Sequence, residues 1–198
     1  VISTCLRVLE METGKQKWID KAQAQTEKLT ALVNALVTLS RMDEGVSPLK
    51  MELFPLSEAV ADTAESFRDL AQSKGHELVL DIAPEMTYRG DEYAIRQLVS
   101  ILLDNAVKYA RAGSTITLTL EKTRRGAVLH CRNGSDPLPE ETLAKLFDRF
   151  YRADPSRNAA TGGFGIGLSI ARGIAEAHKG SICARMVGEE VEFAAELR

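Results

Sequence analysis

The stretch Thr161-Gly162-Gly163-Phe164-Gly165-Ile166-Gly167-Leu168-Ser169-Ile170-Ala171 constrains this chain most. It places four glycines within six positions, 162 to 167, and then turns at once into an apolar helical pattern. Glycine lets the backbone approach a ligand closely and adopt positive φ. A helix start offers unpaired N–H groups and a partial positive charge. Together they suit a phosphate. Two familiar glycine loops do not fit. A dinucleotide fingerprint follows a strand near the start of a βαβ unit, whereas here the polar, Arg-containing segment Arg152 to Thr161 comes first. A P-loop ends in Gly-Lys-Ser/Thr, and no Lys follows these glycines. Alone, the run fits a flexible connector equally well.

The 198 residues allow one domain of ordinary size plus a smaller element. A net charge of −3, with no dense Lys/Arg run, gives no reason to expect nucleic acid as a partner. The apolar runs are too short to span a bilayer. Cys5, Cys131 and Cys183 lack metal-ligand spacing and read as small buried hydrophobes. The first residues, Val1 to Leu6, read as the middle of a helix, so a longer parent sequence is expected.

Two regions are expected, 1–46 and 47–198. Residues 1 to 12 read as a helix, and a second helix runs from Trp18 to Met42. Its positions Ile19, Ala22, Thr26, Leu29, Val33, Leu36 and Ser40 step by alternate threes and fours, with Leu32 and Leu39 widening the stripe. A symmetric dimer closing a four-helix bundle would cover that stripe; packing on the following domain is the alternative. Asp43 to Pro48 reads as a linker.

After it, the expected order is a strand at Met51 to Phe54, a helix at Leu56 to Ala71 and a strand at His76 to Ile82. A helix capped by Asp91 then runs to Ala110. A hairpin turns at Arg124-Arg125-Gly126, a helix begins at Pro139, and another spans Gly167 to Ala177. Two paired strands close the chain. The fold class expected is α+β: a two-layer α/β sandwich with a mixed sheet, preceded by a helical hairpin.

Within the helix capped by Asp91, Asn105 interrupts an apolar run, Lys108 lies one turn on, and Tyr109 follows. An amide oxygen can hold a hard cation such as Mg²⁺. A lysine three residues away reaches the same side, and a tyrosine can lie against a flat base. The segments Leu102 to Tyr109, Asn133 to Pro139, Phe147 to Arg152 and Gly163 to Leu168 occur in that order. They resemble the asparagine, first glycine, phenylalanine and second glycine boxes of sensor histidine kinases of two-component systems, whose ATP-binding fold is shared with gyrase- and MutL-type ATPases. Ser40-Arg41-Met42-Asp43 is similar to the end of that family's dimerisation hairpin.

The resemblance implies ATP and Mg²⁺ as ligands, a homodimer through the hairpin, and a response regulator receiver domain as partner. It also implies a cytoplasmic domain in a parent anchored in the bacterial membrane. By resemblance, Asn105 holds Mg²⁺, Lys108 contacts phosphate and Tyr109 lines the adenine pocket. Asn133 meets the adenine amino group. Phe150 and Arg152 belong to the ATP-binding set, with Arg157 a contact from a lid spanning Arg152 to Thr161. Gly163, Gly165 and Gly167 wrap the phosphates, and Leu168 starts the helix.

This chain departs from the family pattern in four places. Asn133 stands where Asp is usual, which keeps an acceptor but removes its charge. Ser135 and Pro137 stand where Gly is common, and Ile101 where a second Asn is common. The phosphoacceptor motif is also missing: His76, His130 and His178 all read as structural, no catalytic residue is expected in this sequence, and the acceptor is expected upstream. Two other readings stay open, a non-catalytic dimerisation or docking module and a gyrase/MutL-type ATPase using Asp104.

Overall fold

A computed structural model of the chain describes residues 2–13, 49–153 and 165–198, with positions 18–19, 21–23, 25–26, 29–30 and 33 between them. The expectations for Leu32, Leu36, Leu39, Ser40, the linker from Asp43, Arg157, Gly163 and most of the lid lie outside the described residues. The chain divides into two compact units, Val1–Val46 and Ser47–Arg198. In the first, α1 spans Ile2–Thr13, and the described positions from 18 to 33 are helical. Ile2, Val8, Leu9, Leu29 and Val33 are exposed there.

The second unit orders β1 (Glu52–Pro55), α2 (Leu56–Glu65), α3 (Arg68–Ser73), β2 (Glu77–Ile82), β3 (Thr87–Gly90) and α4 (Glu92–Tyr109). It continues with β4 (Thr115–Thr123), β5 (Gly126–Gly134), α5 (Glu140–Lys145), α6 (Gly167–Ala177), β6 (Ser181–Val187) and β7 (Glu190–Leu197). Five strands form one sheet in the order β2-β4-β5-β7-β6. β2 and β4 run parallel; the remaining neighbours are antiparallel. The sheet is therefore mixed. Alternation assigns its inner face: Ile116, Leu118, Leu120, Leu129, Cys131, Phe193, Ala195 and Leu197 are buried. α2, α4 and α6 pack side by side, and Leu56, Leu98, Leu102, Leu103 and Ile174 from these helices complete the core.

Three details differ from the sequence reading. The helix expected from Leu56 to Ala71 breaks at Ser66 and Phe67. The Ser66 hydroxyl donates to the Thr63 carbonyl at 2.6 Å, a local bond that competes with the helical ladder. β3 was not expected. It pairs antiparallel with β1, bringing Phe54 opposite Tyr88, and the two rings meet edge to face at 6.2 Å. Of the three cysteines only Cys131 is buried; Cys5 and Cys183 are exposed. Burial pushes the Cys131 thiol up to about 12, so it behaves as a core residue.

The histidines hold structure together. His178 is fully buried. Its Nδ1–H donates to the Ile174 carbonyl at 2.8 Å, and its Nε2 accepts from the Asp91 backbone N–H at 3.0 Å. The backbone donor fixes Nε2 as the unprotonated nitrogen. His76 is also buried, with Nδ1 3.1 Å from the Ser114 carbonyl. His130 lies beside Glu192.

Candidate nucleotide site

One face of α4 forms the first wall of a cavity of about 350 Å³. Ile101, Asp104, Asn105, Lys108 and Tyr109 line it, at the three- and four-residue spacings that share a helix face. Asp91 sets the helix start by accepting from the Ala94 N–H at 3.0 Å. Asn105 is half-buried, whereas Lys108 and Tyr109 are exposed at the rim. The Lys108 ammonium meets the Asp104 carboxylate at 2.6 Å. Both side chains are substantially exposed, so this pair is weak and exchangeable.

The second wall is the end of β5 and the turn after it, with Asn133, Ser135, Asp136 and Leu138. Val191 and Phe193 of β7 form the floor. Phe147 lies outside the lining but packs edge-on to Phe193 at 6.3 Å and fixes that ring. Neither floor residue was singled out from the sequence, because on β7 both look like ordinary inward-facing strand positions.

The third wall joins the phenylalanine and glycine boxes: Leu146, Tyr151, Arg152, Gly165, Gly167 and Leu168. The structure thus brings Asn105, Lys108, Tyr109, Asn133, Arg152, Gly165, Gly167 and Leu168 to one cavity. Phe150 is not among its lining residues. It is 61% exposed, at φ +64°, and touches this region through its backbone: its N–H donates to the Gly165 carbonyl at 2.8 Å. Of the residues expected in the ATP-binding set, Phe150 thus meets the described part of the site through its main chain and not as a lining side chain.

Three local observations fit a purine nucleotide. α6 starts at Gly167 with Ile166 as N-cap, with no side-chain cap bond and no acidic residue in its first turn. Among the described residues no side chain bonds its first N–H groups, which lie beside the cavity and suit an anion. Among the described residues, a Cβ on Gly167 would meet only Ile101 Cγ2, at 3.5 Å. None of those residues' packing demands the bare backbone there, which leaves room for a ligand. Asn133 is 1% exposed. Its Nδ2 donates to the Gly134 carbonyl at 3.1 Å, while its Oδ1 has no partner. Among the described residues, the other buried side-chain atoms without a partner are Ser114 Oγ and His130 Nδ1, and neither residue lines this cavity. An orphaned buried acceptor costs stability unless a ligand supplies the donor.

For a cation, the α4 wall of the cavity offers oxygen donors, the Asn105 amide and the Asp104 carboxylate, and the second wall adds the Asp136 carboxylate and the Ser135 hydroxyl. Among the described residues no group of three or more His, Cys, Asp or Glu could hold a metal. That donor set suits a hard ion that keeps most of its shell from waters and phosphate oxygens, not a tightly caged transition metal.

Comparison with known proteins gives the family. Residues 90–198 match the profile of the histidine kinase-, DNA gyrase B- and HSP90-like ATPases. The chain is 32% identical over 192 residues to the sensor protein DltS of Streptococcus agalactiae, covering 97% of this chain and 48% of that protein. It is 34% identical over 165 residues to the signal transduction histidine-protein kinase BaeS of Escherichia coli, covering 82% and 35%. The chain thus spans about half the length, or less, of these curated relatives. In fold it is similar to the Acinetobacter baumannii histidine kinase AdeS, with a TM-score of 0.77 at 23% identity over 99% of this chain and 92% of that one. The chain belongs to the family of histidine kinase-, DNA gyrase B- and HSP90-like ATPases, and within it carries the ATP-binding domain of a sensor histidine kinase.

Proposed function

We propose that this chain binds Mg²⁺–ATP in the cavity and donates the γ-phosphoryl group to a histidine, for relay to an aspartate of a response regulator receiver domain. The observation that carries the reading is the pairing of Asn105 on α4 with the uncapped start of α6 across one cavity. Asn105 Oδ1 would hold Mg²⁺, which neutralises phosphate charge. Lys108 would exchange Asp104 for a phosphate oxygen. The N–H groups at Gly167 and Leu168 would receive phosphate, while Tyr109 and Asn133 would meet the base. Arg152, Arg157 and Gly163 complete the proposed contacts from the lid side. Such a site works by positioning and electrostatics.

His76, His130 and His178 do not suit the acceptor role, since each is largely buried against neighbouring groups. The acceptor is therefore proposed to belong to another segment or chain. Exposed Ile2, Val8, Leu9, Leu29 and Val33 support a homodimer through the helical unit, because a partner would cover them. A membrane-anchored parent remains part of the proposal. Among the described residues no helix is long and apolar enough to cross a membrane.

Calorimetric titration of ADP and ATP with and without Mg²⁺ tests the reading. Binding should be strengthened by Mg²⁺, and Asn105→Asp should weaken it at least tenfold. Unchanged affinity in that variant removes Asn105 from the site. Incubation with radiolabelled ATP should leave no acid-labile phosphohistidine on this chain.

A further inference from the structure

An asparagine that reads a base has a problem an aspartate does not have. Its amide offers an acceptor on one side and a donor on the other, and a half-turn exchanges them. An amide free to turn would accept from a 6-amino purine and equally donate to a 6-oxo purine. In this chain the amide is not free to turn. Asn133 is buried, and its Nδ2 donates to the Gly134 carbonyl at 3.1 Å. The same carbonyl accepts from the Arg111 backbone N–H at 2.8 Å, so both of its lone pairs are engaged. Turning the amide would set Oδ1 against that carbonyl, acceptor against acceptor, in a buried position where the mismatch cannot be hydrated.

The carbonyl is itself well held. Gly134 ends the β5–β7 pairing opposite Glu190. The next residue, Ser135, donates its N–H to the Glu189 carbonyl at 3.0 Å. A Cβ on Gly134 would lie 2.6 Å from Ser114 Cβ, so the strand end sits against that residue with no slack.

We infer that the Gly134 carbonyl, fixed by the Arg111 N–H, determines base specificity by locking the Asn133 amide with its unpartnered Oδ1 as the reading atom. The locked amide behaves as an acceptor only. It selects a purine carrying a 6-amino group and rejects one carrying a 6-oxo group, without the charge of a carboxylate. This rests on the nucleotide-site reading proposed above.

The test is calorimetry on the native chain with three diphosphates that differ only at position 6: ADP, the diphosphate of purine riboside, and IDP. A locked acceptor predicts the order ADP, then purine riboside, then IDP, with each step on the order of tenfold. A turning amide predicts that IDP binds within a few-fold of ADP and more tightly than the purine riboside compound; that order overturns the inference. If none of the three binds, the nucleotide-site reading falls and the inference with it.

A variant series isolates the lock from Asn133 itself. Gly134→Ala, crowded by Ser114, should shift the carbonyl and bring IDP towards ADP, and adding Ser114→Gly should restore the native ratio. A folded Gly134→Ala protein with an unchanged ADP to IDP ratio overturns the role of the carbonyl. If that variant does not fold, the order measured on the native chain decides.

Discussion

The backbone N–H of Phe150 donates to the carbonyl of Gly165 at 2.8 Å, joining the phenylalanine box directly to the second glycine box. Gly165 makes this closure possible. It sits at φ +69°, and a Cβ there would lie 2.7 Å from the Tyr151 carbonyl oxygen and 2.9 Å from the Phe150 carbonyl carbon. Both obstacles are backbone, which cannot rotate away. Gly165→Ala should therefore open the closure, costing roughly 1–3 kcal/mol of stability from backbone strain. It should also weaken ADP binding about tenfold or more. Urea denaturation and calorimetry read the two effects.

Gly167 makes the opposite prediction, although it lies two residues away. Among the described residues, a Cβ on it meets only Ile101 Cγ2 at an ordinary 3.5 Å. Alanine is also the better helix former at the start of α6, by up to about 1 kcal/mol. Gly167→Ala should leave thermal stability unchanged or slightly higher while lowering nucleotide affinity, because the new methyl group occupies space beside the uncapped N–H groups. Equal losses of stability and affinity would mean that this glycine serves the fold and not the ligand.

These neighbouring glycines mark the limit of what was legible in the sequence. The motif order gave the site's residue types, and periodicity gave α4, α6 and most strands. Which glycine serves the backbone and which serves the ligand depends on what stands opposite, and that comes from segments far apart in the chain. β3 escaped notice because Thr87 to Gly90 is too short for alternation to stand out, and its pairing with β1 is a tertiary fact. Phe147 and Phe150 look equivalent on a line of text. A turn after α5 buries Phe147 against Phe193 and leaves Phe150 exposed. The pairing of Lys108 with Asp104 needed only the four-residue spacing and could have been anticipated.

On the opposite face of the sheet from the helices, Glu192 is completely buried beneath the half-buried Arg132 and the exposed Arg185 and receives hydrogen bonds from both. Burial alone would raise its pKa, but the hydrogen bonds from Arg132 and Arg185, with the charges of Arg132 and His130, outweigh burial and hold the carboxyl below its usual value of 4.5. A carboxyl with a lowered folded-state pKa contributes stability that is fully present above the unfolded value and is lost as pH falls through the folded one. Unfolding free energy should therefore decline as the pH is taken below the usual carboxylate range. Glu192→Gln should flatten that part of the profile and cost about 1–3 kcal/mol at neutral pH. A variant with the native acid profile would show that other carboxylates set it.

His178 and Asp91 tie the end of α6 to the start of α4, and so hold two walls of the cavity in one frame. Asp91 Oδ1 accepts from the Ala94 N–H, Oδ2 accepts from the Lys50 N–H, and the Asp91 N–H donates to His178 Nε2, each at 3.0 Å. His178→Ala removes the acceptor of that last bond and leaves a cavity where a fully buried ring stood, at a cost of about 2–4 kcal/mol. Asp91→Ala removes the helix cap for about 1 kcal/mol, but its own backbone N–H remains to bond His178. The two losses should therefore add nearly fully in the double variant. A coupling of more than about 1 kcal/mol in a urea-denaturation cycle would mean that the Asp91 side chain, and not only its backbone, positions the histidine. Because the junction acts through both walls, His178→Ala should also weaken ADP binding at temperatures where the variant is still folded, while His178→Gln, whose side-chain oxygen can accept from the Asp91 N–H, should recover part of the affinity along with part of the stability.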